Sequence, residues 1–157
     1  MESGIRSSTP TRTAPPQRGD FRFWTQEKLR NADTDQFRHV NNAVISTFLE
    51  AARMEIFAPP AVHALMGAAN LAVVRLLVEF RSEVYFPGQV SIGTTVVAVG
   101  NTSFRVRQGL FANADDACSA SAEATCVLVM PQTGRPHPIG AALRKYLLAD
   151  ASEGVIA

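Results

Sequence analysis

Residues 33–42 read DTDQFRHVNN, and residues 43–53 continue as AVISTFLEAAR. The first segment is polar and brings two carboxylates, Asp33 and Asp35, close together in sequence. In the second segment, apolar residues recur at spacings of three and four, which is the period of one helix face. We therefore predict an acidic loop that leads directly into a long amphipathic helix, from about Asn42 to Phe57.

Both ends of this helix carry sequence signals. Asn41 or Asn42 can accept a hydrogen bond from the first turn and so cap the start. Pro59-Pro60 follows the last apolar residues, and proline does not continue a helix. Within the helix, Glu50 and Arg53 stand three residues apart, a spacing at which opposite charges can pair on the flank.

After the helix, apolar residues alternate with other residues, which is the pattern of a strand with one buried face. In the first of these strands we expect Leu76, Val78 and Phe80 to form that face. Further strands are predicted at residues 90–96, 104–110 and 120–130, an earlier one within residues 20–32, and a short helix at residues 141–149. Short connections between the last four strands favour antiparallel hairpins. The predicted class is therefore α+β, with one long helix against an antiparallel sheet of about five strands.

Composition limits the class of protein further. The 157 residues, 46% of them hydrophobic, are enough to bury the core of one domain. The formal net charge of +1 gives no reason to expect nucleic-acid binding. Two cysteines, Cys118 and Cys126, are too few for a disulfide scaffold and indicate a reduced, cytoplasmic protein. No segment has the unbroken apolar character of a membrane span.

The ends of the chain differ from its middle. Residues 1–19 are rich in Ser, Thr, Pro and Arg, with almost nothing to bury, so we predict a disordered tail there. The folded domain is predicted over residues 20–150, and a second flexible tail over residues 151–157.

The patterns of several common enzyme classes are absent from the sequence. It contains no GxGxxG, P-loop, HExxH or GxSxG pattern. His39, His63 and His137 are far apart and lack the spacing of metal ligands. We therefore predict neither a metal site nor a cofactor.

The acidic loop has both a structural and a chemical interpretation. Aspartates before a helix commonly form turns or caps. Asp35, however, is too far upstream to cap a helix that begins near Asn42. A helix start presents unpaired N–H groups that can hold the oxygen of a polarised carbonyl. A nearby carboxylate can attack that carbonyl or orient a water molecule, so the two features together make a minimal hydrolytic site.

The loop and helix resemble those of the 4-hydroxybenzoyl-CoA thioesterase-like family of hotdog-fold acyl-CoA thioesterases, whose motif runs close to D-x-D-x-x-G-H-V-N-N before the central helix. The resemblance extends to residues 74–80, the Phe86-Pro87-Gly88 turn, residues 127–129 and residues 133–138. It implies a hotdog fold, in which the antiparallel sheet wraps the long central helix. It also implies hydrolysis of an acyl-CoA thioester to a carboxylic acid and free CoA, with no cofactor.

The same resemblance assigns roles to residues of the loop. It implies that Asp35 acts as nucleophile or general base, and that the backbone N–H near Asn42 is the oxyanion donor. His39 and Asn41 are expected to support the site or contact the substrate, and Asp33 is expected to brace the loop. Each of these residues also has an ordinary structural interpretation, as a satisfied polar side chain or a cap.

Arg38 departs from the family motif, which usually has glycine at this position. Glycine permits a left-handed backbone or a close approach of the substrate. Arginine therefore either changes the shape of the loop, narrows the acyl pocket or contacts a negative group of the substrate. We count Arg38 among the predicted substrate-binding residues.

The resemblance also implies a homodimer with active sites at the subunit interface, often paired further into a homotetramer. Two alternatives to an acyl-CoA thioesterase stay open. One is a thioesterase for acyl-carrier protein, which predicts a basic docking surface near the pocket mouth. The other is a non-catalytic hotdog module that binds acyl-CoA.

Four arginines on the predicted strands could contribute to a patch for CoA phosphates, or could simply cover a solvated sheet face. They are Arg75, Arg81, Arg105 and Arg107.

Overall fold

The computed structural model of the chain describes residues 13–113 and 115–149. Its helices and strands are β1 (Phe23–Lys28), α1 (Asn42–Glu55), α2 (Pro60–Ala64), β2 (Asn70–Phe80), β3 (Gln89–Val99), β4 (Ser103–Ala112), β5 (Cys118–Val129) and α3 (Ala141–Leu148). The five strands form one antiparallel sheet in the order β1-β3-β4-β5-β2. The predicted α+β class, with an antiparallel sheet and one main helix, is confirmed.

Helix α1 lies on one face of this sheet. Its buried side chains Ile45, Phe48 and Leu49 pack in one cluster with Ile92 of β3 and Leu110 of β4. Full burial of each such side chain contributes roughly 1.5–3 kcal/mol to folding. The apolar stripe read from the sequence is therefore the surface that holds α1, and with it the acidic loop, against the sheet.

The opposite face of the sheet is closed around Phe21. Its ring lies on Gly93 of β3 and Gly109 of β4, which are paired in register. A Cβ atom at Gly93 would come within 2.5 Å of the Phe21 ring, and one at Gly109 within 2.7 Å. Both positions therefore need glycine for the ring to reach its buried position.

The prediction that Leu76, Val78 and Phe80 form a buried face of β2 is wrong for the single chain. Leu76 is 43% exposed and Phe80 is 36% exposed, and only Val78 packs partly against the core. The reason is position, because β2 is an edge strand beyond β5 while α1 packs mainly against β3 and β1. The apolar pattern of β2 is real, but most of it stays uncovered within one copy of the chain.

Glu50 and Arg53 could have paired on the flank of α1, but among the described residues they form no ion pair within 4.0 Å, although Glu50 still acts on Arg53 electrostatically. Arg53 is only 4% exposed and points into the core, where its guanidinium donates to the Gln108 side-chain oxygen at 2.8 Å. Burial lowers the pKa of Arg53. The Gln108 amide in turn donates to the Leu49 carbonyl and to the Thr94 hydroxyl. Helical spacing placed Arg53 near Glu50, but a tertiary hydrogen-bond network set its direction.

The segments outside the main elements add three observations. Helix α2 was not predicted, since the sequence indicated only a loop between α1 and β2. Residues 1–12 and 151–157 of the predicted tails lie outside the described residues, whereas residues 13–19 lie within them. There the Arg18 guanidinium lies over the Phe111 ring at 4.7 Å and donates to the Asp115 carbonyl.

No helix within residues 13–113 and 115–149 combines the length and apolar character needed to cross a membrane.

Candidate active site

Asp35 closes the turn that carries the candidate site. Its N–H donates to the His39 carbonyl, and its own carbonyl accepts from the Arg38 N–H, both at 3.0 Å. One carboxylate oxygen, Oδ1, accepts from the Phe37 N–H at 2.8 Å. The side chain is 22% exposed, and Oδ2 faces the His39 ring. Asp35 thus has the structural role of a turn-forming aspartate, one of the two interpretations given by the sequence, and it keeps one oxygen directed at another polar group.

Asp33 braces the loop from inside. Its buried carboxylate accepts from the Arg30 backbone N–H at 2.7 Å and from the Arg30 guanidinium at 2.8 Å. The hydrogen bond from that guanidinium holds the pKa of Asp33 below its ordinary value, against the opposing effect of burial. The Asp33 carbonyl also accepts from the Asn41 N–H. These contacts fix the start of α1 relative to the turn.

Arg38 has the backbone conformation that glycine favours. Its φ is +70°, in the left-handed region that costs a residue with a side chain roughly 1–2 kcal/mol. The turn thus keeps a left-handed residue at the position where the motif has glycine, so arginine does not force a different backbone there. Arg38 itself is exposed.

The start of α1 combines a side-chain cap with an N–H group that is available as a donor. Asn41 is the N-cap, and its Oδ1 accepts from the Ala43 N–H at 2.8 Å. Of the two asparagines that the sequence offered as caps, Asn41 therefore fills the role. Within the described residues, no carbonyl or side chain accepts from the Asn42 N–H. Exposed N–H groups at a helix start are suited to hold an oxyanion.

His39 lies between two carboxylates and two aromatic rings. Its Nδ1 is 3.4 Å from Asp35 Oδ2, and its Nε2 is 3.9 Å from Glu83 Oε1. The Phe37 ring stacks on His39 at 6.0 Å between centroids, and the Tyr85 ring meets it edge-on at 6.3 Å. The Tyr85 hydroxyl donates to Glu83, and this bond raises the pKa of Tyr85.

Sequence reasoning identified the loop but missed its second side. Glu83, Tyr85 and the Val84 carbonyl come from the connection between β2 and β3, and the Val40 N–H donates to that carbonyl at 2.7 Å. The pairing of His39 with Tyr85 continues the contact. These residues stand more than forty positions after the loop, and no local spacing links them to it. The Phe86-Pro87-Gly88 turn was the only signal nearby.

The four candidate arginines separate into two groups. Arg81 is tied to Glu79 at 2.7 Å and to the Ser121 hydroxyl at 3.0 Å. The remaining three are exposed on the face of the sheet opposite α1, where β2, β5 and β4 bring them into neighbouring register positions. None of the three lies within 4.0 Å of a carboxylate in the described residues. These three are Arg75, Arg105 and Arg107.

Comparison with known proteins identifies the family. A family model described as the thioesterase-like superfamily matches residues 29–147. The chain belongs to the thioesterase-like superfamily. Membership of this superfamily confirms the predicted thioesterase resemblance and assigns the chain to the thioester hydrolases. The matched range includes the acidic loop, α1 and the connection that carries Glu83.

Several solved structures share this fold. The PA5185 protein from Pseudomonas aeruginosa aligns with a TM-score of 0.76 at 24% identity, over 85% of this chain and 94% of that one. A predicted thioesterase from Bacillus stearothermophilus aligns at 0.71 and 27%, over 80% and 92%. A thioesterase from Thermus thermophilus, complexed with coenzyme A and Zn, aligns at 0.69 and 27%, over 81% and 92%. No curated protein sequence matches the chain.

Proposed function

We propose that this superfamily member hydrolyses an acyl-CoA thioester to a carboxylic acid and free CoA. The observation that carries the proposal is the turn at residues 35–39, which holds an ionisable carboxylate, Asp35, shortly before the N-terminus of α1. The Thermus thermophilus relative complexed with coenzyme A supports CoA as the thiol component. The panel of acyl-CoAs described below identifies the acyl group.

In this proposal Asp35 acts as nucleophile or general base. As a base, it takes a proton from water while the water oxygen adds to the thioester carbonyl carbon. The Asn42 N–H donates to the developing oxyanion. Collapse of the tetrahedral intermediate breaks the carbon–sulfur bond, and the CoA thiolate leaves with the proton that Asp35 had taken. As a nucleophile, Asp35 would instead attack the carbonyl carbon and expel the CoA thiolate, and water would then hydrolyse the resulting mixed anhydride to the carboxylic acid and the free Asp35 carboxylate.

We further propose that the active unit is a homodimer, paired into a homotetramer. The support is β2, an edge strand that exposes Val73, Val74, Leu76, Leu77 and Phe80. An exposed apolar edge strand is a template for pairing with another chain. Sedimentation equilibrium on the purified protein tests this directly, and a monomer at micromolar concentration would contradict it. Cytoplasmic location is a further prediction, which fractionation of the source cells would check.

One alternative has an observation in its favour. The exposed Arg75, Arg105 and Arg107 form a row that is basic apart from Glu123, which lies opposite Arg107, and an acidic carrier protein can contact such a row. An acyl-carrier-protein thioesterase is therefore the second candidate. Neutralising this row by the Arg105→Gln and Arg107→Gln changes would raise the KM for carrier-protein esters in that case.

The test is release of free thiol from a panel of short, long and aromatic acyl-CoAs, followed with a thiol reagent. Burial raises the pKa of Cys126 to about 11, and that of Cys118 is also raised, so the protein's own thiols contribute little background. We expect the Asp35→Asn change to lower kcat at least about 100-fold. The matched control is Asp116→Asn, because Asp116 is 97% exposed and outside the turn.

The outcomes separate the candidates. Turnover that is lost only in the Asp35→Asn variant supports the proposal and identifies the acyl class. Turnover that survives this change places the reacting group elsewhere and contradicts the role of Asp35. If only carrier-protein esters react, the second candidate replaces the first. Tight acyl-CoA binding without any turnover would instead indicate a non-catalytic binding module.

A further inference from the structure

Glu83 is placed to act on the candidate site through His39. It lies in the connection between β2 and β3, and its Oε1 is 3.9 Å from His39 Nε2. On the other side of the same ring, Nδ1 faces the Asp35 carboxylate at 3.4 Å. The three side chains thus form a row, carboxylate–imidazole–carboxylate, with one end at the proposed reacting group.

The rest of the environment holds this row in place. The Tyr85 hydroxyl donates to the second Glu83 oxygen, Oε2, which directs the first toward His39. Phe37 stacks on the imidazole face and Tyr85 meets it edge-on. Ionised carboxylates only accept hydrogen bonds, so a neutral imidazole can donate to one of its two neighbours and the imidazolium to both. A hydrogen bond from Nε2 to Glu83 would leave the neutral ring without a proton to donate from Nδ1 to Asp35, so the two carboxylates compete for one ring proton.

We propose that Glu83 is a positioning residue of the thioester site, and that it acts by fixing the orientation and tautomer of the His39 ring beside Asp35. This inference rests on the proposed function of Asp35. Second neighbours of this kind commonly orient a functional imidazole in other proteins. Tyr85 supports Glu83 and is one step further from the reaction.

The size of the effect follows from exposure. Glu83 is 61% exposed and its distance to His39 exceeds that of a full hydrogen bond. Contacts of this strength change rates by roughly two- to fivefold. We expect the Glu83→Gln change to lower kcat by that factor with KM for the acyl-CoA unchanged. The Tyr85→Phe change, which removes only the hydroxyl, should lower kcat less.

The test is a double-mutant cycle in kcat with the variants Glu83→Gln, His39→Asn and the pair, each checked for an unchanged melting temperature. If Glu83 acts through His39, the double variant is no slower than His39→Asn alone. Independent, multiplying effects would overturn the proposal. Glu55→Gln is the matched control, since Glu55 is exposed at the far end of α1.

A second readout does not depend on turnover. The ring nitrogens of the three histidines are observable by ¹⁵N NMR, and loss of one set in His39→Asn assigns His39. We expect Glu83→Gln to shift the His39 nitrogen resonances and Glu55→Gln to leave them unchanged. Unchanged resonances in both variants would refute the role of Glu83 even if Asp35 proves essential. A shift in a protein without thioesterase activity would instead refute the proposed function alone.

Discussion

The Asp33→Asn change tests whether the buried brace holds the active-site loop. Asparagine keeps one acceptor oxygen for the Arg30 backbone N–H. It lacks the negative charge that the Arg30 guanidinium contacts, and its amide group directs a donor at that guanidinium. Hydrogen bonds to charged groups contribute about 1.5–3 kcal/mol. Because Arg30 is 73% exposed, solvent competes for it, and we expect a loss of about 1–2 kcal/mol. For a chain of this length the melting temperature should fall by roughly 2–8 °C.

The pH dependence of this loss has a defined sign. The folded-state pKa of Asp33 lies below its ordinary value of 3.8, so the folded state favours the ionised form. The stabilisation is therefore fully present above the unfolded-state pKa and is lost as the pH falls through the folded-state value. We expect the difference in unfolding free energy between wild type and Asp33→Asn to be constant near neutral pH and to shrink below about pH 4.

The assay is thermal unfolding by circular dichroism between pH 3 and pH 8, with Asp116→Asn as the control. Asp116 is 97% exposed beside Arg18, so its replacement should change the unfolding free energy by less than about 0.5 kcal/mol. Equal stability of wild type and Asp33→Asn at pH 7 would refute the brace. A difference that persists undiminished down to the acid end of this range would show that charge is not its source.

Three further changes test other parts of the fold. Arg38→Gly should raise the melting temperature slightly, because relief of about 1–2 kcal/mol of backbone strain exceeds the entropy cost of glycine. The control Gln36→Gly in the same turn should lower the melting temperature. An equal decrease in both variants would contradict the strained backbone at Arg38. Gly109→Ala should cost about 1–3 kcal/mol in urea unfolding, because the new methyl group meets a buried ring; an unchanged midpoint would refute that contact. Gln108→Leu should lower the free energy of unfolding by about 2–4 kcal/mol, because the buried guanidinium of Arg53 loses its acceptor. Adding Arg53→Met to this variant should recover much of the loss. Simple addition of the losses of the two single variants would show that the two residues are not coupled.

The sequence was most informative where local chemistry is enough to determine structure. The start of α1 and its asparagine cap follow from rules that span a few neighbouring residues, and the structure has this cap at Asn41. The glycine position at residue 38 came from the family resemblance, which left the effect of arginine open, and the structure shows a left-handed backbone there. The role of Asp33 as a brace was implied by the same resemblance; the contact of its carboxylate with Arg30, three residues away, agrees with that role but was not predicted.

The other half of the candidate site could not be predicted in this way. Glu83 and Tyr85 reach His39 only because the β2–β3 connection passes beside the acidic loop, where the Val84 carbonyl accepts from Val40. Such a contact depends on the sheet order, in which β2 and β3 are separated by two other strands. Arg53 illustrates the same limit inside the core, where a glutamine on β4 outcompetes the glutamate expected from helical spacing.

The error at β2 shows what an alternating pattern specifies. Leu76, Val78 and Phe80 indicate that a face of the strand is to be buried, but the pattern does not say which molecule covers it. In one copy of the chain α1 packs over β1 and β3, so the β2 face stays largely open at the edge of the sheet. Phe37 and Tyr85, beside the candidate site, are 69% and 54% exposed as well. The connection that follows β2 carries Glu83 and Tyr85 to His39, so a dimer formed through β2 would bring a second chain near the acidic loop. Stability and activity should then be lost together on dilution. Activity that persists in a dilute monomer would show that the active site does not depend on association through β2.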